Sequence, residues 1–346
     1  MTARSMTFDW SQTRIHCPLD LAAPGKRAGH LLLPWSDNTN PLGGHPIPVM
    51  VATGAPGPTL LLTAGVHGDE FEGPVAILDL WRDIDPATLR GRVIALPALN
   101  APAVRASCRT SPLDGANLNR AFPGHPDGGP TAQIAHLVEA VLLPGCDAAV
   151  DLHSGGKASW FHPCALPARA PDGAIDTANM ALARAFGAPA IWLLGSGNDA
   201  RSLNGAATRR GVPMIAAELG GGGAIDPALT ALAVRGLWRI MAALGMTDAA
   251  PAPENPDAGV WETADPALRI TAPFDGLVEP LARAGDRVGA GQPVARWLSL
   301  AEPGRAPVTL RAPRDALVLA TGQRGLVAQG EIACQLASAV EMPGGV

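Results

Sequence analysis

The chain of 346 residues has no run of eighteen uninterrupted apolar residues, and its opening MTARSMTFDWSQTR lacks the apolar core of a secretory signal. Neither a membrane span nor an export signal is therefore expected, and a cytoplasmic location follows. Basic clusters are also missing. With 26 Lys and Arg against 31 Asp and Glu, a net charge of -5 and a pI of about 5.9, nothing suits a nucleic acid or an anionic membrane as partner. Cysteine is scarce and unpatterned. Cys17, Cys108, Cys146, Cys164 and Cys334 are odd in number and show no CxxC spacing, which argues against a disulfide framework or a cysteine-built zinc site and fits reduced thiols.

What is present is the material of a large core. Apolar residues make up 47% of the chain and mean hydropathy is +0.15, so disorder is excluded and the length allows a second domain. The 40 Gly and 34 Pro are spread between apolar segments and mark turns, not low complexity. Runs at 29–34 and 47–53, separated by the turn formers of SDNTNPLGGHP, predict an antiparallel edge. From Thr59 onward, strands at 59–64, 92–97, 148–153, 189–194 and 213–218 alternate with helices at 73–84, 130–143, 176–186, 200–210 and 226–244. That alternation predicts an α/β fold, a mostly parallel mixed sheet with helices on both faces.

The Ala/Pro-rich segment TDAAPAPENPDAG reads as a linker, dividing an α/β domain over 1–248 from a linker and C-terminal β domain over 249–346. Two imperfect copies of one pattern start at Ala272 (APFDGLVEPLARAGDRVGAGQPVARW) and at Ala312 (APRDALVLATGQRGLVAQGEIACQLA), and predict a small pseudo-symmetric β-barrel. The repeat resembles the biotinyl/lipoyl fold, whose carriers bear a cofactor on a hairpin lysine. The only lysines here are Lys26 and Lys157, so a carrier role is excluded and a structural or interface role is expected, compatible with a homo-oligomer.

The chemistry concentrates in TLLLTAGVHGDEFEGPVAI, residues 59–77, where an apolar strand enters a turn containing Gly65 and Gly68, then a helix with Pro74 in its first turn. His67 and Glu70, three apart on that corner, can face one point and supply two zinc ligands. His153, closing the apolar strand 148–152, is the best third. Two histidines and a glutamate make a catalytic set for one Zn²⁺ per chain, with a seat left for water. His67, Asn100, His153 and Glu218 all fall at or just after carboxyl ends of predicted strands, where open sheets of this kind bind ligands. Such an ion would lower the pKa of a bound water and polarise a carbonyl. Glu218, between an apolar strand and a glycine run in MIAAELGGGG, suits the general base that returns the proton to a leaving amine.

A long turn-rich segment, NAPAVRASCRTSPLDGANLNRAFPG, carries Arg105, Arg109, Asn119 and Arg120. Asn119 and Arg120 form a natural fork for a substrate carboxylate, and Arg109 suits a developing oxyanion; bonding of Arg105 and Arg109 to loop carbonyls is the alternative.

His-Gly-Asp-Glu at 67–70, Asn-Leu-Asn-Arg-Ala-Phe at 117–122, Asp-Leu-His-Ser-Gly at 151–155 and Glu-Leu-Gly at 218–220, in order between residues 45 and 245, resemble the succinylglutamate desuccinylase/aspartoacylase family, relatives of the zinc carboxypeptidases. The resemblance implies zinc on His67, Glu70 and His153, a base at Glu218, oxyanion help from Arg109 and carboxylate binding by Asn119 and Arg120. A C-terminal β domain also fits the family. Within it, SPLDGANLNRAFPG and DLHSGG are most similar to the N-acetyl-diaminobutyrate deacetylases of ectoine breakdown. Two departures affect the substrate and not the metal: Asn117 stands where the family's usual motif begins with Asp, and the chain has no tyrosine to serve the family's substrate-binding tyrosine. The expected activity is hydrolysis of the amide of a small N-acyl amino acid. The alternatives are a metallocarboxypeptidase acting on peptides and a non-catalytic binding or scaffold protein, the intact ligand set with Glu218 speaking against the latter.

Overall fold

The computed structural model describes residues 8–38, 41–195, 199–248, 250–252 and 254–342. The N-terminal seven residues, part of the predicted turn at 39–40 and linker positions 249 and 253 lie outside them. The chain enters through β1 (Gly25–Leu33) and β2 (His45–Thr53), the expected antiparallel pair, with Gly25 opposite Thr53 and Leu33 opposite His45. β3 (Ala55–Ala64), α1 (Glu72–Asp83), β4 (Arg90–Leu96), α2 (Ala101–Ala106), α3 (Pro130–His136) and β5 (Ala148–His153) follow. Then come β6 (Ser159–Pro167), α4 (Thr177–Phe186), β7 (Ala190–Trp192), α5 (Leu203–Arg210), β8 (Met214–Gly221), α6 (Pro227–Ala243) and β9 (Gly259–Glu262). The sheet order is β1-β2-β4-β3-β5-β8-β6-β7-β9, and β4, β3, β5 and β8 run parallel to one another.

The central strands are apolar at almost every position because helices cover both faces. Leu60 and Leu62 of β3 point into a core with Ile77 and Leu80 of α1, Phe186 of α4 and Ile240 of α6. Leu61 points the other way, against Ile134 of α3 and Leu203 of α5. Each such fully buried side chain contributes roughly 1.5–3 kcal/mol relative to exposure. Helix starts follow local chemistry: Asp226 caps α6 by accepting from the Ala228 N–H, with Pro227 in the first turn.

Three local features depart from expectation. The predicted helix over 130–143 is α3 continued through 137–142 in wider turns. α2 forms inside the segment read as a loop, six residues with Pro102 at its start. β6 has no counterpart among the predicted strands and runs antiparallel to β8, interrupting the parallel order. Pro163 obscures it in the sequence. The β6–β8 register shifts between Phe161 and Cys164, a bulge where a residue lacking an N–H is tolerated.

The C-terminal region supplies β10 (Arg269–Thr271), β11 (Gly276–Pro280), β12 (Arg287–Val288), β13 (Pro293–Leu298), β14 (Val308–Arg311), β15 (Ala316–Gly322), β16 (Leu326–Val327) and β17 (Ile332–Ala339). The duplication is visible in the pairing: the short β12 of the first copy pairs with β15 of the second, and β16 of the second pairs with β11 of the first. Strands β14, β13, β11 and β16 form one sheet, while β17 and β15 continue the large one. A closed ring results, β6-β7-β9-β17-β15 and back to β6, drawing strands from both sides of the linker. Cys164, Trp261, Leu319 and Ala337 pack together in one cluster of side chains from those strands. Among the described residues no helix is long and apolar enough to cross a membrane.

Candidate metal centre

The site lies beyond the ends of β3 and β5 and beside Glu218, which was expected to close its strand but sits inside β8, whose pairing with β6 carries it on to Gly221. Beyond β3 the backbone turns through Gly65, at a φ of 65° that favours glycine. Gly68 then passes so close to α2 that a Cβ there would lie 2.0 Å from the Ala103 carbonyl carbon. The turn swings His67 and Glu70 inward, both almost fully buried. His153, the last residue of β5, meets them, and the ligand atoms of the three residues lie within 4.8 Å of one another.

Both imidazoles turn Nδ1 to the same carboxylate, His67 at 2.7 Å from Glu70 Oε1 and His153 at 2.8 Å from Oε2. Their outer nitrogens are fixed by other groups. His67 Nε2 lies 3.2 Å from Asn117 Oδ1, which also accepts from the Asn119 N–H, and His153 Nε2 lies 2.7 Å from Asp151 Oδ2. Thr63 donates to the other Asp151 oxygen at 2.7 Å. With Nε2–H committed outward on both rings, both Nδ1 lone pairs can face a cation, the tautomer a metal ligand needs. A divalent ion held by the two imidazoles and Glu70 would displace the proton that His153 holds there. The donor set therefore fits zinc chemistry.

The electrostatics agree. Burial works to raise the Glu70 carboxyl, yet the His153 and His67 imidazoles hold it well below the usual carboxylate range. Burial likewise works to lower His153, but Asp151 and Glu70 hold it well above its ordinary value. Glu218 sits on β8 directly opposite His153 on β5. Its Oε2 is buried without a hydrogen-bond partner, and burial, reinforced by the negative charge of Glu70, pushes the group up to about 8.

The remaining predicted residues divide. Arg109, half-exposed, reaches Glu70 Oε1 at 3.4 Å from the rim. Asn119 and Arg120 make their contacts farther along: Asn119 Oδ1 accepts from the Leu203 N–H that begins α5, and Arg120 Nε pairs with Asp199 at 3.0 Å. Asn100 donates to the Val66 carbonyl and braces the turn. Arg105 lines a separate cavity of about 670 Å³ with Asp37, His45 and Leu113. Two contributors were missed, Asn117 and Asp151. Asp151 was detectable, since residues two apart on a strand share a face and Asp151 and His153 must point the same way. Asp151→Asn is expected to weaken metal affinity about 10–100-fold, measured by competition with a chromogenic chelator; unchanged affinity would remove Asp151 from this role.

Residues 56–244 match the family profile described as the succinylglutamate desuccinylase/aspartoacylase catalytic domain. The N-alpha-acetyl-L-2,4-diaminobutyric acid deacetylase of Halomonas elongata is 36% identical over 331 residues, 95% of this chain and 96% of that protein. A succinylglutamate desuccinylase from Silicibacter sp. TM1040 superimposes with a TM-score of 0.88 at 35% identity, over 95% of this chain and 99% of that one. The product-bound ectoine utilization protein EutE (DoeB) from Ruegeria pomeroyi gives a TM-score of 0.88 at 36% identity, over 93% and 98% of the two chains.

Proposed function

Because the chain belongs to the succinylglutamate desuccinylase/aspartoacylase family, we propose that it is a zinc-dependent deacylase that hydrolyses the amide of a small N-acyl amino acid, N-acetyl-diaminobutyrate being the leading substrate. The observation that carries this proposal is the convergence of His67, Glu70 and His153 beside the unpartnered Oε2 of Glu218. Zinc held by those three residues would supply Lewis-acid polarisation and a more acidic water. The protein's own groups do the rest.

Glu218, in a buried setting that favours gaining a proton, takes one from the attacking water and passes it to the amine as the C–N bond breaks. Arg109 at the rim donates to the oxygen that becomes negative when the carbonyl carbon turns tetrahedral. Asn119 and Arg120 receive the substrate carboxylate. Arg120 is free enough for this because Asp199, its partner, is already held by both Nε and Nη2 of Arg201. The 272 and 312 copies form a lysine-free module of biotinyl/lipoyl type, with a structural role.

A panel of N-acetylated and N-succinylated diamino acids, aspartate and glutamate, assayed beside short peptides, tests the substrate class. Turnover of small acyl-amino acids is expected, by at least about tenfold in kcat/KM over any peptide, the scale of one well-placed polar contact. Cleavage of peptides alone would overturn the proposal in favour of a carboxypeptidase.

A further inference from the structure

Three loops meet at Glu70, and their connections form a closed circuit. The Lys157 N–H donates to Asp69 Oδ2 at 3.0 Å, tying the segment after β5 to the 67–70 corner. The Gly68 N–H donates to the Cys108 carbonyl at 3.0 Å, tying that corner to the segment after α2. One side chain closes the circuit. Lys157 Nζ donates to the Ser107 carbonyl at 2.6 Å. The lysine stem reaches that point across Gly223, where a Cβ would come within 2.7 Å of Lys157 Cγ.

Ser107 is the only described residue other than glycine with positive φ, at 49°. It is the C-cap of α2, its N–H held by the Ala103 and Val104 carbonyls, while its own carbonyl is held by Lys157. Two residues later Arg109 extends to within 3.4 Å of Glu70. A half-exposed arginine has many rotamers, so its aim depends on how firmly the Ser107–Arg109 corner is anchored, and small displacements from a productive geometry are costly in rate.

We propose that Lys157 is a positioning residue: its ammonium fixes the Ser107 corner and so directs Arg109 at the reacting carbonyl, a role that rests on the deacylase function proposed above. Lys157→Met removes the charge and keeps the stem. It is expected to lower kcat about tenfold, the scale of one hydrogen bond from a charged donor, with KM changed less than about twofold and zinc content unchanged. Lys157→Arg, which restores a donor, recovers most of the loss. Hydrogen exchange of the amides over 106–110 accelerates in Lys157→Met and not in Lys157→Arg.

In an Arg109→Ala background, Lys157→Met has no further effect on kcat. A full additional loss there, or unchanged exchange over 106–110, overturns the proposal. If the parent protein hydrolyses no N-acyl amino acid, the deacylase function fails, and the exchange measurement alone decides whether Lys157 holds the corner.

Discussion

Glu218→Gln is expected to keep its metal and to lose about 10²–10⁴-fold in kcat, the span that a general base contributes. The metal is retained because Glu218 stands outside the three converging ligands and its Oε2 bonds to nothing among the described residues. Turnover is lost because an amide in that pocket has no lone pair basic enough to accept a proton from water. The pH dependence has a definite sign. Without metal, burial and the charge of Glu70 hold Glu218 at about 8, so it is largely protonated at neutral pH. A divalent ion on Glu70 opposes the second of these effects, so the acid limb of kcat/KM for the loaded enzyme lies below 8, and Glu218→Gln loses that limb. Unchanged kcat in the Gln variant, with full metal occupancy by elemental analysis, would remove Glu218 as the base.

Stripping the metal, or replacing His153 by Ala, is expected to reduce hydrolysis to background. In the stripped parent, added zinc restores activity at one ion per chain; in His153→Ala it does not, because two of the three donors remain. The hydrogen bonds of the site add a readout that does not depend on turnover. Since His153 turns Nδ1 to Glu70 and is held in its charged form, zinc binding should release a proton there, seen in a weakly buffered titration. Asp151 and Glu70 hold His153 well above its ordinary value against the opposing effect of burial, so protons compete with the ion and affinity should climb as pH rises. Full activity in protein shown to contain no metal would defeat this account.

Much of this site was legible because its ligands lie where local sequence signals are strongest. Mostly apolar runs leading to His67, His153 and Glu218 reveal the buried strands β3, β5 and β8, and the glycines around His67 reveal the turn. What escaped depends on register. Thr63 faces Asp151 because β3 and β5 pair with those two residues opposite each other, and no spacing within either strand states that pairing. Asn117 lies in an irregular segment, and its approach to His67 depends on how that segment folds back over the corner. β6 was lost for a different reason, since Pro163 violates strand propensity and is admitted by a bulge that only the partner strand defines. The ring closes where β15 meets β6, as Ala320 faces Phe161 across more than a hundred and fifty positions of chain, beyond the reach of any local pattern.

That ring also governs how the molecule can be taken apart. β6 hydrogen-bonds on one side to β8, the strand bearing Glu218, and on the other to β15, while β7 leans on β9. Removing the chain beyond the Ala/Pro-rich connector would bare the flanks of β6 and β7 that β15 and β9 cover, next to the strand bearing Glu218, as open templates for self-association. The β-rich tail is thus a stave of the ring that runs beside that strand, and engineered shortening of the protein has to stop short of it.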